Sequence, residues 1–180
     1  DFVVVSGTTD DIRTGGLISI TTGYSSTTTS GTFSLDTANA GIAGVSGSIH
    51  FETGTTSSGN SGIISMATGT ANDGCGGNQE FLVGVGNSGD GGDIIIAAGE
   101  TTAKATTGGI VLISAGRGSS ESKSDGGNGG DCLVYGGEAS GLHVADDTGG
   151  NVEIVGGYAA GASGGDIFLQ SGYGASTSSG

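Results

Sequence analysis

The chain has 180 residues, 42 of them Gly, and carries 18 acidic against 4 basic side chains, a net charge of −14. Four Lys and Arg cannot build the basic face that nucleic acid requires, no apolar run approaches the roughly 20 residues of a membrane span, and Gly at this density disfavours long helices at about 1 kcal/mol per position. A disordered Gly/Ser/Thr tract and a repeat protein remain, and only periodicity separates them.

Taken in chain order, the apolar runs between glycines are FVVVSG at the start, then GLISITTG, GTFSLDTA, GSIHFETG, GIISMATG, QEFLVGVG, GDIIIAAG, GIVLISAG, GDCLVYGG, GNVEIVGG and GDIFLQSG. With the leading residue counted as position zero, position two holds Phe2, Ile18, Phe33, Ile49, Ile64, Phe81, Ile94, Val111, Cys132, Val152 and Ile167. Position four holds Val4, Ile20, Leu35, Phe51, Met66, Val83, Ile96, Ile113, Val134, Ile154 and Leu169. Every one of these is apolar in a chain that is only 33% apolar. Position seven is Gly except at Ala38, and position zero is Gly except at Gln79. A disordered tract has no reason to keep such columns.

Apolar residues two apart between glycines predict a short half-buried strand. Units of 13–21 residues with one strong strand each cannot bury a face alone and must stack. The predicted fold is therefore all-β: one domain over 1–180, a single-stack β-solenoid of about eleven coils with a thin core. The return segments, such as 24–30 and 158–164, would line its other side with small residues, and the long returns at 117–129 and 138–149 would loop outward.

The ends are expected to act in assembly. Joining Gly180 to Asp1 completes a repeat in register, and no capping unit covers the edge. The expected assembly residues are Asp1, Phe2, Val3 and Val4 at one end and Asp166, Ile167, Phe168 and Leu169 at the other. An outward strip of Leu82, Ile95, Leu112 and Leu133 is the expected lateral contact, since exposed apolar strips mark partner surfaces.

Chemistry has few footholds. GGNGGDCLV at 126–134 matches the Ca²⁺-binding nonapeptide pattern once, without the tandem copies that let turns share ions. A looser Ca²⁺ site would draw on Asp90, Asp93, Asp125 and Asp131; the competing reading is a Gly-rich corner, and no other cofactor is implied. Position six starts as Ser6, Thr22, Thr37, Thr53 and Thr68, but its Thr run stops there, which weighs against an ice-binding array. His50 and His143 have no nucleophile partner, and pairs such as Asp10-Asp11 and Asp146-Asp147 read as solvated corners, so no enzyme is expected. Cys75 and Cys132 lie four coils apart and are not expected to pair.

The running Gly-Gly-x-Ile-x-Ile pattern, with its Ser/Gly returns, resembles the extracellular Gly/Ser/Thr-rich repeat proteins of diatoms and related algae, and more generally bacterial repetitive adhesins. The resemblance spans the whole chain and implies a secreted or cell-surface structural role, with no catalytic residue to carry over. The resulting expectation is a structural component of an extracellular fibre whose partner is itself, either as a homopolymer or in a longer chain. Ser and Thr are open to O-linked sugars. A Ca²⁺-dependent adhesin and an ice-binding solenoid are the alternatives.

Overall fold

The computed structural model describes residues 1–10 and 12–174. The junction of Gly180 with Asp1, and Asp11 of the Asp10-Asp11 pair, lie outside the described residues. The chain divides into two units, Asp1–Leu82 and Val83–Gly180.

The solenoid expectation is overturned. Among the described residues there is no strand and no helix, hence neither a sheet nor a coil of one. The two apolar columns are not a core either: among the described residues no side chain is buried, and the exposure of the large apolar residues runs from 46% at Val83 to 112% at Ile42.

The physical reason lies in the return segments. In a solenoid with one strand per coil, the chain must travel back the length of the strand, roughly 20 Å at 3.3 Å per residue, before the next strand begins. Here it does not travel back. The amide of Gly16 donates to the carbonyl of Gly7 at 2.8 Å, and that of Gly31 to Gly23 at 2.9 Å. In the second unit Gly109 donates to Gly99 and Gly130 to Gly116 at 2.9 Å, while Gly150 donates to Gly137 and Gly165 to Gly157 at 2.8 Å. Each bond joins position seven of one repeat to position zero of the next. In these six returns the loop is closed at its neck, so one apolar segment ends where the next begins. The other backbone hydrogen bonds among the described residues, such as Asp147 to His143 at 3.0 Å, also lie inside loops. None ties one apolar segment to another, so no ladder forms.

The necks are built from small residues. A methyl group placed on Gly16 would lie 3.1 Å from Ser6 Cβ, and one on Gly31 3.2 Å from Thr22 Cβ. On Gly47 and Gly62 it would meet Thr37 and Thr53, at 3.5 and 3.4 Å, and on Gly109 it would meet Ala98 at 3.2 Å. Position six of one repeat therefore abuts the glycine that opens the next; a Cβ at Gly16, Gly31 or Gly109 would crowd the neck, whereas at Gly47 or Gly62 it would make an ordinary contact. Ser6, Thr22, Thr53 and Gly156 are half-buried in a chain that is otherwise nearly all exposed. Midway round each loop the chain turns sharply, for example at 26–28, 57–59, 72–74 and 87–89. Asp73, at φ 55°, and Gly89, at φ 76°, take left-handed backbone in two of these turns.

This contact corrects the register of the sixth repeat. The glycine set against Thr68 is Gly77, at 3.7 Å from Cγ2, and the residue set against Gly92 is Val83, at 2.9 Å from Cγ1. Position zero is therefore Gly77 and not Gln79, so the steps 62 to 77 and 77 to 92 are both 15 residues. Gln79 moves to position two, the one polar residue in that column, and its amide nitrogen donates to the Met66 carbonyl at 2.9 Å. The Gly76-Gly77 doublet carried the signal, because doublets also open the repeats at 16, 92, 109, 130, 150 and 165.

Candidate functional site

Alternation survives in the exposed segments as a difference in degree. Ile94, at position two, is 59% exposed, whereas its neighbour Ile95 is 84% exposed. One side of several segments, those of Ile18, Ile64, Ile94, Val111 and Ile167 among them, is thus partly sheltered, and in the first unit the shelter deepens into a groove. A cavity of about 260 Å³ is lined by Phe51 from the fourth repeat and Ile64, Ser65 and Met66 from the fifth. Phe51 and Met66 hold position four in consecutive repeats. Across the intervening loop, 54–61, Gly62 is set against Thr53, and Phe51, Ile64 and Met66 face a common space. The Gln79 amide holds the Met66 carbonyl beside it. The lining is apolar apart from Ser65, and its aromatic ring and thioether suit an apolar side chain. The pattern places Phe51, Ile64 and Met66 in the core columns; the structure leaves them lining an open groove.

The expected lateral residues Leu82, Ile95, Leu112 and Leu133 are 66–85% exposed, so the long loops do not cover them. The expected assembly residues are exposed as well: Phe2 at 93%, Phe168 and Leu169 at 87%, and Val3, Val4 and Ile167 to lesser degrees; Asp1 and Asp166 are also exposed. Among the described residues no three His, Cys, Asp or Glu side chains come close enough to hold a metal, so Asp90, Asp93, Asp125 and Asp131 are not brought together as a set. Asp125 instead receives local bonds: its amide donates to Ser122 Oγ at 3.2 Å and its carbonyl accepts from Ser120 Oγ at 3.3 Å.

Each histidine pairs with a nearby carboxylate. His50 Nε2 lies 2.9 Å from Glu52 Oε2, and His143 Nδ1 lies 2.9 Å from Asp146 Oδ2. The His143 amide also donates to Asp147, closing a tight turn inside the 138–149 loop. These are exposed pairs with no nucleophile beside them, and such pairs contribute little. Position-six threonines face the necks, which takes them out of a free planar array. Cys75 and Cys132 are both free and exposed. Among the described residues no helix is long and apolar enough to cross a membrane.

No protein-family model matches this chain, and no curated protein or solved structure is similar to it.

Proposed function

We propose that this chain is a self-associating structural component of an extracellular fibre. The observation that carries the reading is surface area. The chain exposes 17896 Å². A compact monomer of its 17.0 kDa would expose about 7700 Å², and a fully extended chain about 24700 Å². Roughly 10000 Å² that a globular protein would bury is thus left in water, against about 800 Å² per partner in a standard interface. Much of it is Ile, Val, Leu and Phe recurring every 15 or 16 residues over most of the chain, which suits repeated contact with copies of itself. Extracellular placement is supported by the resemblance to algal secreted repeat proteins, and the exposed loop hydroxyls offer sites for O-linked sugars. Nothing in this reading requires catalysis.

The net charge of −14 opposes association at low salt. Raising NaCl from about 20 to 200 mM shortens the Debye length to below roughly 10 Å, and assembly is expected to begin at about tenfold lower protein concentration. Sedimentation velocity with negative-stain electron microscopy checks this. Fibres that persist in chelator support the structural reading; assembly that appears only with Ca²⁺ supports the adhesin. A chain that stays monomeric at roughly 100 µM and 200 mM salt overturns both.

A further inference from the structure

We infer that the groove lined by Phe51, Ile64, Ser65 and Met66 receives the segment Ile110–Ile113 of a second copy, a contact between unlike surfaces that propagates into a filament. The inference rests on the fibre reading and names its joint.

Three observations select this occupant. First, Ile110-Val111-Leu112-Ile113 is the longest run of large apolar residues in the second unit, and it stands exposed, from 49% at Val111 to 86% at Ile110. It is flanked by Gly108-Gly109 on one side and Ser114-Ala115-Gly116 on the other, so no bulky neighbour blocks its approach to a groove.

Second, the charges are complementary in a chain where that is hard to achieve. The insert lies in an uncharged stretch, 105–116, bounded by Lys104 and Arg117, two of only four basic residues. Three of the groove residues, Ile64, Ser65 and Met66, lie in an uncharged stretch, 53–72, bounded by Glu52 and Asp73, and the fourth, Phe51, adjoins Glu52. Lys104 and Arg117 make no ion pair among the described residues. Exposed pairs of this kind add little affinity but set register and select the partner. The acidic remainder of the surface disfavours dockings that set carboxylates against carboxylates.

Third, the groove belongs to the unit Asp1–Leu82 and the insert to the unit Val83–Gly180. A joint between unlike patches leaves each copy with one free groove and one free insert, and such joints extend without closing unless the rotation makes a ring. A groove-to-groove joint would stop at two chains.

The test uses two variants of the full chain, Ile64→Ser with Met66→Ser in the groove, and Val111→Ser with Ile113→Ser in the insert. Neither removes a buried side chain, and unchanged exchange of the Gly31 and Gly165 amides would show the necks intact. Each variant alone is expected to need at least about tenfold more protein to assemble, a change of 1.4 kcal/mol. Mixed in equal amounts, they can form one intact joint, so two-chain species and no fibres are expected. A small fraction of either variant should shorten wild-type fibres by capping one end. Lys104→Glu with Arg117→Glu should weaken assembly, and Glu52→Lys with Asp73→Lys in the partner should restore it.

Wild-type fibres with both variants assembling as readily as wild type overturn the joint and leave the fibre reading standing. Two-chain species from the insert variant alone would show groove-to-groove pairing and overturn it too. Variants that assemble more readily than wild type would mean that the chain's own 110–113 fills the groove, which also overturns it. A wild-type chain that never assembles removes the fibre reading and the joint together.

Discussion

The loop necks and the apolar segments obey different rules although they alternate in one chain. A neck closes over eight or nine residues in the short repeats, as in Gly7 to Gly16 and Gly23 to Gly31. The entropy cost of closing so short a loop is small, and a glycine set against Ser, Thr or Ala lets the backbones meet. An apolar segment has its natural partners a whole repeat away or in another molecule, and among the described residues no backbone hydrogen bond joins one segment to another. The contrast teaches that regular spacing of apolar residues is not enough for a core. The residues between them must carry the chain back, and small residues closed into a loop do not.

The sharpest way to break this comparison is amide exchange. In the dilute chain, amides 110–113 are expected to exchange at nearly the unprotected rate, since no segment is hydrogen-bonded to another. On assembly they should slow by about 100-fold, as for burial worth roughly 3 kcal/mol, while the neck amides change little. Segments already protected in the dilute chain would restore an internal sheet and sink the account of the fold.

A smaller effect separates two glycines. A Cβ on Gly31 would lie 3.2 Å from Thr22 and 3.3 Å from the Gly23 nitrogen, whereas one on Gly54 would meet nothing within 4 Å. Gly31→Val is expected to open its neck and speed exchange of the residue-31 amide about fivefold, the equivalent of one hydrogen bond of about 1 kcal/mol. Gly54→Val should leave the neck amides unaltered. Equal effects of the two would mean that the neck contact is not what closes the loop.

The smallest expected effect is at Gln79. Gln79→Ile removes the bond to the Met66 carbonyl and completes the apolar column. Assembly is expected to change by no more than about threefold, since an exposed neutral hydrogen bond contributes at most about 0.5–1 kcal/mol. A loss of assembly as large as that of the groove variants would make Gln79 part of the joint itself.

Much of the repeat was legible before any coordinates. The positions of Gly16, Gly31, Gly47 and Gly62, the apolar pairs between them and the two long loops follow from spacing alone. The sixth repeat is ambiguous in sequence because Phe81 and Val83 fit positions two and four as well as four and six; a period of two cannot tell them apart. Contact of Gly77 with Thr68, and of Gly92 with Val83, resolved it. The groove is hidden in the sequence for a related reason: Phe51 and Met66 look the same there whether other residues cover them or not.

The amino-acid order by itself determined where each repeat starts, which residues are apolar and where the chain can turn, because these depend on side-chain chemistry and backbone freedom within eight residues or so. Whether those repeats would stack was decided only by tertiary structure. Stacking is a contest between a short loop that closes on itself and a long return that must be rewarded by contacts across a core, and with Gly, Ser and Thr in the returns the short closure prevails.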